Sequence, residues 1–467
     1  MNGCGPPDLK TSGFAIEPLL KRLAQLPPTR KYWVGFSGGA DSTALLLALK
    51  LSAPSLSAEI QAVHFNHGLH PDATAWQDHC RSFCEARNIP LLIRKLDLGK
   101  PDRSGLEAQA RNQRYRAVEY LLGEGEIYLT AHHANDCAET LFLNLMRGSG
   151  LNGLAGIPGL RKLGAGWVAR PLLPFKRRAL EAFLLQREVD WLEDPSNTSL
   201  EFDRNFVRHR VFPQLEERWP GVISSLNQTS EHAQELGHAL QLLLASQYGD
   251  LICGEFTLPL APLLDLDPVV QVLILRNWIR AKGLNTPPRL RLNEFLQQLR
   301  QAGSSASKAE IRWSDCLLKH HAGFLWLHLQ PGPGSCPTRS WTSGICLNLG
   351  PGFGELRLNR QVDFFPEGWQ VGPRKKGQRM QLHENGPRRK LKELMRESAI
   401  PPWLRDSIPV LCMNGEVAAV GDWLISARLS RQVPHGEKAL TWLPTDPLLC
   451  KLQSVSVQFL GQANSSI

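Results

Sequence analysis

The chain has 467 residues, too many for one ordinary core, so two or three domains are expected. A hydrophobic share of 42% and a charged share of 21% describe an ordinary globular protein. A formal charge of +9 favours a polyanionic partner such as nucleic acid, and none of the 10 cysteines forms a Cys-x-x-Cys pair, which leaves a zinc ribbon or a dithiol redox site without support.

The scattered thiols fit a reducing compartment. Met1 to Lys10 holds no basic segment followed by an apolar run, and no uncharged apolar stretch approaches membrane-spanning length. A cytoplasmic location with no membrane partner is expected.

In chain order, Tyr32 to Phe36 is an apolar run that predicts a buried strand, and Thr43 to Leu49 predicts a helix. Glu59 to Phe65 predicts a second strand, Ala75 to Arg87 a helix, and Leu91 to Ile93 the start of a third strand. Ser104 and Glu107 have capping-box spacing at the head of a helix running towards Leu122. Ile127 to Ala131 predicts a fourth strand and Asn135 to Met146 a helix. Strands alternating with helix-length segments imply a parallel sheet covered on both faces, with ligands at the carboxyl ends of its strands. Ser37, His64 and His132 all fall at such ends. After Gly148 a Gly-rich loop is expected through Gly166, then a turn and helix over Arg170 to Leu185. Leu236, Leu240, Leu243 and Leu244, and later Val269, Val272 and Leu273, recur at helical spacing and predict a mainly helical middle domain. Gln330 to Ser335 reads as a break, Arg389 to Ser398 as a helix beyond it, and the residues after Gln458 as a polar tail.

The densest chemical signal is Ser37-Gly38-Gly39-Ala40-Asp41-Ser42, between the first strand and its helix. A glycine turn feeding a helix N-terminus brings backbone N–H groups and the positive end of the dipole to one point, which is an anion site. The Gly-Lys-Ser/Thr ending of a Walker loop is missing. Asp41 is placed to hold Mg²⁺ beside phosphates. A second cluster lies in His132-His133-Ala134-Asn135-Asp136-Cys137-Ala138-Glu139, where helical spacing gathers His132, Asp136 and Glu139. Oxygen donors outnumber nitrogens there, which suits Mg²⁺ better than zinc. His64, His67 and His70 are three apart but have no convincing fourth ligand, so they read as incidental. Glu107, Arg111 and Arg114 share a helix face, either as a surface ladder or with an arginine turned to nucleotide phosphates. Arg204 to Arg210, Arg374 to Lys376 and Arg388 to Lys392 are basic runs beside aromatic residues, suited to a phosphate backbone.

Taken together in order, these motifs resemble the tRNA(Ile)-lysidine synthetase family of the PP-loop ATP pyrophosphatase superfamily. The resemblance rests on Ser37 to Ser42, His64 to Leu69, Glu107 to Tyr115, Ala131 to Thr140, Arg147 to Gly150, Asp194 to Asn197 with Arg204, Asn205 and Arg208, and Lys390 to Leu394 with Ile400 to Arg405. It implies an α/β fold with an N-terminal parallel-sheet PP-loop domain of the adenine nucleotide alpha hydrolase type. A mainly helical domain and a small α+β C-terminal domain follow. The expected spans are residues 1–215 for catalysis and 216–330 for helical tRNA binding. A linker follows over 331–345, then a C-terminal tRNA-binding domain over 346–445 and a tail over 446–467.

The implied reaction uses ATP and Mg²⁺ to adenylate the wobble cytidine of tRNA(Ile) with a CAU anticodon. Free L-lysine then displaces AMP. By the same resemblance Ser37, Gly38, Gly39, Ala40, Asp41 and Ser42 cradle the leaving pyrophosphate, with Arg111 and His132 also on the nucleotide. Asp41 and Asp136 are the catalytic and metal carboxylates, and Arg204 and Arg208 contact tRNA. The family usually shows Asp-Asp-Gln where this chain has Asn135, Asp136 and Cys137. A tRNA thiolase of the same superfamily and a non-catalytic tRNA binder are the rivals. The oligomeric state is left open, a homodimer being one option.

Overall fold

A computed structural model describes residues 13–452 except 69–70, 97–105, 255, 303–308, 330–331, 363–367, 435 and 451. Ser104, His70 and the tail after Gln458 therefore lie outside the described residues. The chain divides into two compact units, the first ending at Leu240 and the second starting at Gln241.

The first unit opens with α1 (Ile16–Leu23), β1 (Lys31–Gly35), α2 (Ala40–Ser52), β2 (Glu59–Asn66), α3 (Ala73–Glu85) and β3 (Leu91–Lys95). It continues with α4 (Leu106–Leu121), β4 (Ile127–Leu129), α5 (Ala134–Met146), a short α6 (Leu151–Leu154), β5 (Leu160–Leu163), β6 (Gly166–Ala169) and α7 (Arg177–Leu185). The sheet order is β3-β2-β1-β4-β6-β5, with β5 antiparallel to β6 and every other pair parallel. β1 is central: Gly35 pairs with Val63 on one side, and Val34 pairs with Leu129 on the other. The chain winds outward from β1 to β3, then crosses back to place β4 on the far side of β1. That reversal opens a crevice at the carboxyl ends of β1 and β4, the switch point where such sheets bind ligands.

Alternation along β1 feeds two cores. Val34 joins α1, α2 and α7 in a cluster with Leu45, Leu46, Leu49, Leu180 and Phe183. Trp33 turns to the other face with Val63, Val118, Tyr128 and Val168. α2 is buried on nearly every side, which explains its uninterrupted apolar run. One expectation fails here: residues 160–169 form a hairpin whose second strand extends the parallel sheet, not a loop. Gly164 at φ +53° makes its turn.

Past α7 come α8 (Asp203–Phe206), a π-helical turn at Val207–Val211, α9 (Phe212–Arg218) and the long α10 (Val222–Ile252). In the second unit, helices Pro268–Ala281 and Arg289–Ala302 accompany a four-stranded antiparallel sheet that the helical expectation did not include. A five-stranded and a three-stranded antiparallel sheet follow, with a helix at Leu391–Glu397. Their core is rich in tryptophan, including Trp341, Trp369 and Trp442. Among the described residues no helix is long and apolar enough to cross a membrane.

Candidate active site

Between β1 and α2 the chain turns through Phe36 to Gly39. Gly38 has φ +85°. A Cβ there would stand 2.7 Å from Leu192 Cδ1, so glycine is required twice over. Gly39 caps α2 with an extended backbone, and no side chain covers the amides of the first turn. A Cβ on Gly39 would meet nothing closer than Ser37 Oγ at 3.6 Å, so that face of the loop is open. The hydroxyls hold the loop from within. Ser42 Oγ donates to the Gly39 carbonyl at 3.0 Å and lies 3.1 Å from Ser37 Oγ, and Thr43 Oγ1 donates to the Gly38 carbonyl at 3.2 Å. Uncapped amides, an open glycine face and the dipole of α2 together make an anion nest.

Across the crevice α5 begins at Ala134, with His133 as its N-cap. His133 N donates to Asp136 Oδ2 at 3.0 Å and Asp136 N donates to His133 Nδ1 at 3.4 Å, a capping box built from histidine and aspartate. His133 Nε2 points at the loop, 3.4 Å from Asp41 Oδ2 and 3.5 Å from Asp136 Oδ2. α5 then presents Asp136 and Glu139, three residues apart, to Arg204 and Arg208. Arg204 donates to Glu139 Oε2 and Asp136 Oδ1, both at 2.7 Å. Arg208 donates to Glu139 Oε1 at 2.7 Å, Glu139 Oε2 at 2.9 Å and Asp136 Oδ1 at 3.2 Å. Val207, Phe212 and Ile223 pack on Ala134 and Ala138 and fasten the arginine segment to α5.

The electrostatics follow from this packing. Burial opposes charge on His133, but Asp136, Asp41 and Glu139 outweigh it and raise its pKa. Burial likewise opposes charge on Asp136, and His133 with Arg204 outweigh it and hold the carboxyl below its ordinary value. His132 differs: burial drives its pKa down to about 3, with Arg170, Arg204 and Arg111 adding to the fall. It stays neutral and sits 2.8 Å from Thr130 Oγ1.

The structure thus brings together Asp41, Asp136, Glu139, Arg204 and Arg208, and adds His133, which spacing did not single out. The helix starts at Ala134, so the four-residue spacing from His132 to Asp136 is not helical. The three-residue spacing from His133 to Asp136 is the capping-box signal that would have found it. Asn135 Oδ1 accepts the Arg177 amide at 3.1 Å in the first turn of α7, so it has a structural task beside the site. Cys137 is buried against Ser230 Oγ at 3.7 Å. Cys80 and Cys84 are buried with thiols pushed up to about 12 and about 11, chiefly by burial, which keeps both as unreactive thiols. His64 is taken up by the Phe36 carbonyl, 2.9 Å from Nδ1. In the later basic runs Arg374 pairs with Asp406, Arg388 with Glu416 and Arg389 with Glu397.

Whether Mg²⁺ suits this chemistry can be judged from the oxygens. Asp41 Oδ1 is buried with no hydrogen-bond partner among the described residues, a lone-pair site that fits a hard cation. Both Asp136 oxygens are already engaged, Oδ1 by two guanidiniums and Oδ2 by His133. Among the described residues no set of three His, Cys, Asp or Glu side chains is arranged around one metal position.

Comparison with known proteins gives these features a lineage. Residues 15–215 match the PP-loop domain, residues 258–326 the TilS substrate binding domain, and residues 369–442 the TilS substrate C-terminal domain. The first unit is therefore a PP-loop ATP-binding domain of an enzyme. A tRNA(Ile)-lysidine synthase of Alkalilimnicola ehrlichii is 36% identical over 422 residues, covering 88% of this chain and 94% of that one. The corresponding protein of Methylococcus capsulatus is 35% identical, covering 86% of this chain and 94% of its own. The chain belongs to the tRNA(Ile)-lysidine synthase family, a family of ligases.

Proposed function

We propose that this chain joins free L-lysine to carbon 2 of the wobble cytidine of tRNA(Ile) with a CAU anticodon, using ATP. In the first half-reaction the cytidine carbonyl oxygen attacks ATP, and pyrophosphate leaves. In the second the lysine ε-amine attacks carbon 2 and AMP leaves. The product pairs with A instead of G, which moves the codon from AUG to AUA and the amino-acid identity from methionine to isoleucine. We assign residues 1–215 to catalysis, and 216–330 and 346–445 to tRNA binding about the linker at 331–345.

A cytosine carbonyl carbon is a poor electrophile, and adenylation turns its oxygen into a leaving group. The loop from Ser37 to Ser42 holds the pyrophosphate by its uncapped amides and the α2 dipole, where charge develops as the bond breaks. Arg111 and the neutral His132 contact the nucleotide. Asp41 would hold Mg²⁺, joined by Asp136 once its guanidiniums give way. The bound ion would neutralise charge on the departing phosphates. The attacking amine must shed a proton, and Asp136, once released from the guanidiniums that hold it, is the carboxylate we assign to receive it. Arg204, whose side chain is 35% exposed despite its two carboxylate partners, faces the tRNA together with Arg208.

The observation that carries this reading is Asp41. Its buried, unpartnered oxygen stands in the first turn of an uncapped helix, at the sheet's switch point. The test supplies the protein with ATP, Mg²⁺, radiolabelled lysine and bulk tRNA. Label enters tRNA only when ATP is present, with AMP formed in equal amount. Absence of lysine-dependent label refutes the proposal. Sulfur incorporation would favour the thiolase, and tRNA binding without AMP release the non-catalytic binder.

A further inference from the structure

Three arginines contact one tyrosine beside the catalytic crevice, and a fourth, Arg114, precedes that tyrosine on α4. Tyr115 lies on α4, with the guanidinium carbon of Arg111 5.5 Å from its ring centroid and that of Arg161, on β5, 5.0 Å away. Arg170, the residue after β6, is only 4% exposed. It donates to the Pro158 carbonyl at 2.7 Å and to the Tyr115 hydroxyl at 3.2 Å. Its Nε is buried with no hydrogen-bond partner among the described residues. The charge of Arg114 acts on Tyr115 and Tyr128 alike. Among the described residues no carboxylate forms an ion pair with any of the four; the nearby ion pairs belong to other arginines.

A buried guanidinium without a carboxylate is costly. Burial, then repulsion from Arg161 and Arg111, pushes Arg170 below its ordinary range although Tyr115 opposes the fall. An anion entering from solvent would relieve all four charges together, and the exposed positions of Arg111 and Arg161 leave the way open. The fork geometry of guanidinium suits phosphate oxygens. β6 neighbours β4, and Thr130 N bonds the Ala169 carbonyl at 3.0 Å, so Arg170 borders the strand end that carries His132. It lies two strands from β1, about 10 Å across the sheet. A phosphate held here is therefore distinct from one in the glycine nest.

We propose that Arg114, Arg161 and Arg170, organised by Tyr115, form a subsite for a backbone phosphodiester of the tRNA. The subsite rests on the substrate proposed above. Arg111 shares the ring but is assigned to the nucleotide, so it stays outside the test.

The experiment measures tRNA affinity of the full chain over a salt series, and ATP affinity in parallel. Arg161→Ala and Arg114→Ala should each weaken tRNA binding about three- to tenfold and lower the salt slope by about one, with ATP affinity within about twofold of wild type. Arg170→Lys keeps the charge and loses the fork. It should lose about tenfold in tRNA affinity while melting near the wild-type temperature. Unchanged tRNA affinity and slope in Arg161→Ala and Arg114→Ala overturn the subsite. So does a fall in ATP affinity with tRNA binding intact, which would assign the cluster to the nucleotide. Wild-type protein is assayed alongside for transfer of labelled lysine. If it transfers none, the substrate reading fails and the subsite with it. If it transfers and the variants bind tRNA like wild type, the subsite alone fails.

Discussion

Asp41 faces His133 through Oδ2 while its other oxygen, Oδ1, is buried without a hydrogen-bond partner among the described residues. Asp41, Asp136 and Glu139 face Arg204 and Arg208, and these carboxylates raise the pKa of His133 against the effect of its burial. Glu139 and Asp136 are locked by guanidiniums, whereas Asp41 Oδ1 stays free. Replacing Asp41 by Asn keeps the size and removes the charge. Asp41→Asn should cut AMP formation by about a thousandfold while tRNA affinity stays within about threefold, read by thin-layer chromatography and filter binding. Equal loss of both would mean a misfolded protein, and undiminished AMP formation would remove Asp41 from the chemistry. The loop, Asp136 and the arginine pair were all visible in the sequence, because strand-turn-helix grammar and helical spacing are local. The pairing of Arg204 and Arg208 with carboxylates on α5 was not, since it joins residues 65 to 72 positions apart. His133 was missed for a smaller reason: which of two adjacent histidines faces the crevice depends on where α5 begins.

The turn into α2 separates two glycines that look equivalent in the sequence. Gly38 sits at φ +85° with Leu192 Cδ1 2.7 Å from the position of a Cβ. Gly39 has φ −73° and open space in front of it. Gly38→Ala should therefore destabilise the first unit by about 1–3 kcal/mol, seen as a lower urea midpoint. Gly39→Ala should leave the midpoint unchanged and weaken ATP binding, because its methyl group intrudes where a phosphate would approach the amides. Equal midpoints for the two variants would contradict this division. At this scale the parallel strands were legible because both faces of β1, β2 and β4 are covered, which leaves apolar runs bounded by turns. The β5–β6 hairpin was not, since Arg161, Lys162 and several glycines hide its short strands. The four-stranded sheet of the second unit was not, since three of its short strands lie at 310–329, beyond the helical spacing at 236–273 on which the expectation for the whole middle region rested. The order of the sheet, and with it the switch point, depends on pairings between distant segments that no single stretch encodes.

Both units carry a buried histidine that folding keeps neutral, and this couples the stability of the whole chain to acid. In the first unit His132 is brought down to about 3, chiefly by burial. In the second His328 is brought down to about 4, by burial and then by Lys319. His328 is packed edge-on to Trp403 at 5.3 Å, and its Nε2 has no hydrogen-bond partner among the described residues. The unfolded chain binds these protons near pH 6.5 and the folded chain does not, so the unfolded state holds more protons in between and stability falls as pH falls. Each group contributes a slope of up to about 1.4 kcal/mol per pH unit below pH 6.5, flattening near its folded value. His64, His67 and His321 are lowered in the same sense, chiefly by burial. His133 runs the other way: its contribution is complete below its ordinary pKa and lost as pH rises through the raised folded value. Asp136 enters only below its ordinary value of 3.8, where its contribution is lost as pH falls through its lowered pKa. Between pH 6.5 and 4.5 the buried histidines therefore govern, and the chain should lose stability on acidification. Hydrogen exchange of the strands at 316–329 isolates the second unit's share. There His328→Gln should flatten the pH dependence while leaving that of β1 and β4 unchanged. A slope over those strands that is the same in wild type and His328→Gln would show that His328 is not the group that titrates.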